Sequence, residues 1–181
     1  MPIAHSSRTR GLLIQMKTLF ITKADLNSDN LYIGAIPVDS FDGHIDIAAN
    51  LGHVQFAGSV SAKGFIRAQE GSGIKAGEGI EAGEGIEAGE GIKAGWSIEA
   101  GWGIKAGSGI KAGEGIEAGE GIEAGWSIEA GWGIKAGEGI KAGWGIKAGW
   151  GIKAGWGIKA GLAITHKLTL AARAAALGSR A

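Results

Sequence analysis

The chain has 181 residues, with 18 basic and 18 acidic side chains, so no net charge draws it toward nucleic acid or an anionic membrane surface. It contains no cysteine, which excludes disulfides, thiolate catalysis and thiolate-bound metals together. No run of about eighteen apolar residues occurs, so no membrane span is expected, and a cytoplasmic location fits the lack of cysteine.

Residues 1–15, MPIAHSSRTRGLLIQ, are polar and basic and then briefly apolar. A secretory signal needs an apolar stretch of about 7 to 15 residues, and here Lys17 cuts it short. MKTLFITKADL, from Met16, reads as a translation start of its own. Residues 1–15 are therefore expected to be a disordered or non-native extension. Residues 16–42 read as an N-terminal β cap, with short apolar runs at 18–22 and 31–36 on either side of the turn-rich LNSDN. From 43 to 70 a rhythm of six begins. Val54, Val60 and Ile66 are six apart, each followed two residues later by Phe56, Ala62 or Ala68. The next step, Ile66 to Ile74, is eight, which marks Gln69 and Glu70 as an insertion at a corner.

Residues 71–160 are fifteen hexads of the form Gly, variable, Gly or Ser, Ile, Lys or Glu, Ala. Six residues turn an α-helix through about 600° and would scatter the isoleucines around it, and one or two glycines per hexad weaken a helix further. Collagen is excluded by the glycine spacing and the absence of proline in the array. In an extended segment Ile and Ala, two apart, share one side and the charged residue takes the other. The expected core is Ile74, Ile80, Ile86, Ile92, Ile98, Ile104, Ile110, Ile116, Ile122, Ile128, Ile134, Ile140, Ile146, Ile152 and Ile158 with their alanines. The variable residue then sits at a bend, and the glycines beside it are expected to permit that bend by accepting positive φ.

The fold expected is all-β: a single-stranded β-solenoid of hexapeptide repeats. Three hexads per coil give a three-sided prism of 18 residues; the alternative is a two-sided coil of 12. Stacking at eighteen gives six opposite-sign and six like-sign charged neighbours, and stacking at twelve gives seven and six, so the charge counts do not choose. Twelve would align Trp132, Trp144 and Trp156, whereas eighteen pairs Trp126 with Trp144 and Trp132 with Trp150. Three sides are preferred, since three Ile and three Ala fill a small triangular layer.

GSVSAKGFIRA, followed by GSGIKAG and GEGIEAG, resembles the bactofilins, the polymer-forming cytoskeletal proteins of bacteria. The resemblance covers residues 43–165 and implies a three-sided β-helix that polymerises end to end without nucleotide. This chain departs from that family in its near-perfect hexads and its many tryptophans. The hexapeptide acyltransferases share the period, but the catalytic histidine which that resemblance would imply has no counterpart between Gly71 and Ala160.

After the array, residues 161–181 are read as a C-terminal cap: Leu162, Ile164, Leu168 and Leu170 close the last coil, and the Ala-rich stretch from Ala171 to Leu177 forms a short helix or frays.

No catalytic, cofactor-binding or metal site is expected. The GxGxxA of each hexad, such as Gly77, Gly79 and Ala82, matches a dinucleotide fingerprint only in letters, lacking the strand, helix and downstream acid. No Asp follows Asp46, against a calcium-binding β-roll, and His5, His44, His53 and His166 lack ligand spacing. Trp96, Trp102, Trp126, Trp132, Trp144, Trp150 and Trp156 all fall at the variable corner. They either stiffen the corners, by stacking and by attraction to a nearby Lys, or form a ridge for lateral assembly or for a flat ligand such as carbohydrate. Outer charges from 71 to 136 are eleven Glu and five Lys, and from 137 to 160 one Glu and four Lys, which favours head-to-tail association. The expected function is a non-enzymatic rod that self-associates, with carbohydrate binding as the alternative and ice binding a weaker third.

Overall fold

The computed structural model describes residues 16–166 and 169–172. β1 (Lys17–Ile21), β2 (Gly43–Ile47), β3 (Gly52–Phe56), β4 (Val60–Ala62), β5 (Ile66–Ala68) and β6 (Ser72–Ala76) lead into the array. There β7 to β15 are the triplets Ile80–Ala82, Ile86–Ala88, Ile92–Ala94, Ile98–Ala100, Ile104–Ala106, Ile110–Ala112, Ile116–Ala118, Ile122–Ala124 and Ile128–Ala130. β16 to β20 gain the preceding glycine: Gly133–Ala136, Gly139–Ala142, Gly145–Ala148, Gly151–Ala154 and Gly157–Ala160. β21 (Ala163–His166) and β22 (Thr169–Ala172) follow.

Successive strands pass to three different sheets. The first sheet runs β1-β2-β5-β8-β11-β14-β17-β20, the second β3-β6-β9-β12-β15-β18-β21, and the third β4-β7-β10-β13-β16-β19-β22. All ladders are parallel, and in the array each residue lies on its equivalent eighteen residues away, as Ile98 does on Ile116 and Glu99 on Glu117. The protein is therefore a three-sided solenoid of 18 residues per coil, and the two-sided alternative is set aside. Seven inter-strand steps at about 4.8 Å make the first sheet roughly 34 Å long.

Alternation does the rest. Ile and Ala turn inward and the residue between them outward, and every array isoleucine from Ile74 to Ile152 is at most 2 % exposed. Ile158, in the last hexad, is half-buried against the same core. One buried Ile contributes about 1.5 to 3 kcal/mol, while ordering the six residues of its hexad costs about 1 to 2 kcal/mol each. A hexad is stable only between neighbours.

The corners explain the glycines differently from the sequence expectation. Among the described residues only Gly52 and Gly71 are glycines with positive φ, so beyond Gly71, its first residue, the array does not turn by that means. Its first glycine is needed for close approach: a Cβ on Gly113 would overlap the carbonyl oxygen of Gly95 one coil back, and the same holds for Gly131 on Gly113. The tight fit lets the Gly113 N–H donate to Ala94 O at 3.2 Å and the Glu114 N–H to Trp96 O at 3.0 Å. The second glycine is roomier. A Cβ on Gly115 would stand 3.7 Å from Gly133 O, and Ser97 and Ser127 occupy this position in other hexads.

Toward the N-terminus the coils widen. The partner spacing is 26 residues for Lys17 and Gly43, 21 for Ile45 and Ile66, and 20 for Val54 and Ile74, before settling at 18 with Ile74 and Ile92. The lead-in is itself an irregular coil. Leu31 bridges Gln55 on the second sheet and Phe41 bridges Ala62 on the third, so the run expected as a strand over 31–36 is reduced to isolated bridges. Extra residues are taken up in corners by Asn50 (φ 60) and Gly71 (φ 70). Ser72 is fully buried there, donating to Ala48 O at 2.7 Å and accepting from Leu51 N–H at 2.9 Å.

At the other end, Ala171 and Ala172 lie in β22, paired with Lys153 and Ala154, where a helix was expected. The unpaired backbone of β19 outweighs the helix propensity of alanine, which is worth only a few tenths of a kcal/mol per residue over its competitors. The remainder of that expected helix, together with Lys167, Leu168 and residues 1–15, lies outside the described residues.

Candidate interaction surfaces

Each corner places its variable residue outside the prism, because the strands on either side have taken the interior. The seven tryptophans are accordingly 54 to 72 % exposed. A repeat of 18 sorts them into three columns. Trp126 and Trp144 stand on the corner between the first and second sheets; Trp96, Trp132 and Trp150 on that between the second and third; Trp102 and Trp156 on that between the third and first. Trp126 and Trp144 stack with centroids 6.2 Å apart and planes 18° from parallel. Trp132 and Trp150 share a column through the Trp150 N–H, which donates to Trp132 O at 2.6 Å. The cation–π contact found among the described residues is Arg67 over Phe65 at 4.9 Å, in place of the expected Lys over Trp.

Beside the corner between the third and first sheets runs a groove of about 710 Å³. Its floor is the column of second glycines, Gly85 to Gly157, whose missing side chains leave the space open. Trp102 and Trp156 stand on one wall, three coils and therefore about 14 Å apart. Arg67, Glu87, Lys105, Glu123 and Lys141, the alternating ladder of the first sheet, stand on the other.

Outward charges form ladders, and the three ladders differ. On the first sheet the signs alternate: Asp46, Arg67, Glu87, Lys105, Glu123, Lys141, and then Lys159. On the second sheet Lys75, Lys93 and Lys111 follow one another, then Glu129 and Lys147. On the third sheet Glu81, Glu99 and Glu117 follow one another, then Lys135 and Lys153. The first ladder sets opposite charges together at every step but the last and pairs at two of them, with the Lys141 ammonium donating to Glu123 at 2.6 Å and Arg67 3.6 Å from Glu87. The others do so only where the sign changes, at Lys111 with Glu129 and at Lys135 with Glu117. Among the described residues Lys75, Lys93, Lys147, Lys153, Glu81 and Glu99 on these two ladders have no ion-pair partner within 4.0 Å, and neither do Lys105 and Lys159 on the first. Whole-rod counting of charge pairs missed this arrangement, since sorting every outer residue by its place in an eighteen-residue cycle is what separates the faces.

The Lys141 ammonium holds the Glu123 carboxyl below the usual carboxylate range, against the opposing effect of desolvation. Lys63 does the same for Asp42, and burial, with the nearby Asp25, pushes the Tyr32 hydroxyl up. His44 Nδ1 accepts the Phe65 N–H at 3.1 Å while its ring stacks on Phe65. That nitrogen is thus committed, and its approach to Glu84 at 3.9 Å is not an ion pair through the same atom. His53 lies 3.3 Å from Glu90 on the surface, and His166 sits in β21, far along the rod from both. Among the described residues no three His, Cys, Asp or Glu side chains are grouped as metal ligands, and no helix is long and apolar enough to cross a membrane.

Comparison with protein-family models, curated proteins and solved structures finds no match. The solenoid thus stands on its own geometry, and the likeness to bactofilins stays with the residues that carry it.

Proposed function

We propose that the protein is a non-enzymatic structural rod, a bactofilin-like scaffold or filament subunit of the cytoplasm, and that its partner is itself. The observation that carries this reading is the unbroken register. From β9 onward each strand lies in register on the one eighteen residues back, so every coil presents its outward and corner positions to a partner at the same places. Repetition of weak contacts along a rigid axis gives avidity without any single strong site. The exposed tryptophans add apolar area that a chain under no such demand would replace with Glu, as many of its own hexads do. Sedimentation over a range of concentration, with electron microscopy of the same sample, tests the reading. Rods that grow laterally or end to end support it, and a monomer at every concentration and at low salt refutes it.

The groove beneath Trp102 and Trp156 favours a second reading, a binding module for carbohydrate or another flat ligand. Two aromatic faces about 14 Å apart with charged hydrogen-bonding groups between them suit an extended sugar chain. Substituting both by serine (W102S/W156S) should abolish such binding in a glycan-binding assay while leaving the circular dichroism of the rod unchanged. Retained binding removes the groove from consideration.

A further inference from the structure

Resting on the self-association reading, we infer that the second sheet's outer face docks on the third sheet's outer face of a second copy, with axes parallel and coils level. Lys75 and Glu81 occupy the same coil, as do Lys93 and Glu99, Lys111 and Glu117, Glu129 and Lys135, and Lys147 and Lys153. Laid level, the two faces therefore oppose Lys to Glu in three coils and Glu to Lys in the fourth. Only the fifth opposes like charges. The flanking coil below sets Gln55 against Ser61, which is neutral. Sliding one face by a coil in one direction leaves two opposite-sign and two like-sign levels, and in the other direction three and one. The level arrangement is the best matched.

Within one rod the same rows are unfavourable, because like charges stacked on adjacent strands repel and only Lys111 and Glu117, at the end of each row, meet an opposite charge on their own face. The alternating first face carries no such row of three like charges. Docking gives Glu81, Glu99 and Lys93 the partners they lack and draws each charge out of water against its opposite. Parallel docking also brings the two corners between second and third sheets together, so Trp96, Trp132 and Trp150 of both copies line one edge of the seam. Since the two docked faces differ, the contact is heterologous and each added copy leaves one face of each kind free for the next.

Charge reversal with rescue tests the interface. E81K/E99K/E117K makes both faces basic, and K75E/K93E/K111E makes both acidic; E81Q/E99Q/E117Q serves as a milder variant, and circular dichroism checks that each remains folded. The expected result is that wild type sediments as more than a monomer at low ionic strength and less so as salt rises. Each reversed variant alone should be monomeric, the Gln variant weakened, and an equal mixture of the two reversed variants should regain the large species. Reversed variants that associate as wild type does would overturn the face assignment while leaving self-association in place. Folded variants that fail to restore assembly on mixing would overturn it too, and a wild type that is monomeric throughout removes both this interface and the reading beneath it.

Discussion

A methyl group on the first glycine of a hexad has no space, because the atom it would meet is a backbone carbonyl held by the coil behind. Gly113→Ala should therefore lower stability by about 1 to 3 kcal/mol, the usual cost of overpacking, whereas Gly115→Ser, which copies Ser97 and Ser127, should leave the urea midpoint nearly unchanged. Equal midpoints for the two would contradict the close-approach explanation. That first glycine's invariance is visible in the sequence, but its reason is not, since the carbonyl in question lies eighteen residues away and only the coil brings it near. Glu123 supplies a second residue-level test. Its folded-state pKa lies below the unfolded value because Lys141 donates to it, so its contribution to stability is present above the unfolded pKa and fades as pH falls through the folded one. Glu123→Gln should accordingly flatten the acid limb of a plot of stability against pH. An unchanged slope would mean that the pair contributes nothing in solution.

At the scale of the strand, the period of six and the inward Ile–Ala pair were legible from the spacing alone, because side chains two apart in an extended chain share a face whatever the fold. Coil size was harder to read, since charge pairs summed over the whole array balance at either twelve or eighteen. What separates the two is geometry at single positions. Lys93 and Lys111 face outward on adjacent strands of the second sheet, and Lys105, twelve residues beyond Lys93, belongs to the first. A Cα separation near 4.8 Å between neighbouring strands lies within the roughly 4.4 to 6.8 Å that a disulfide spans. K93C/K111C should thus form an intramolecular disulfide under mild oxidation, in a chain with no other cysteine to compete, and K93C/K105C should not. The reverse pattern would restore the two-sided coil. The C-terminal alanines show where strand-scale reading fails: composition favoured a helix at Ala171 and Ala172, and an open sheet edge took them instead.

Over the whole molecule, the period of the core and the period of the surface are not the same. Ile and Ala repeat every six residues, so any whole number of hexads leaves the interior filled; the outer charges have meaning only every eighteen, because three hexads complete a coil. Deleting residues 89–106 removes one full coil and keeps the face pattern, with three opposite-sign levels and one like-sign level between second and third sheets. Deleting residues 89–94 removes one hexad and shifts every later charge by one side, which leaves two opposite-sign levels and three like-sign ones. Both shortened rods should fold, and both should melt somewhat below the parent because a solenoid's stability grows with its neighbour contacts. Sedimentation of the pair at low ionic strength is therefore the most direct measurement: the coil deletion is expected to assemble as the parent does and the hexad deletion to remain monomeric, whereas equal assembly of the two would contradict an interface built from faces of unlike charge.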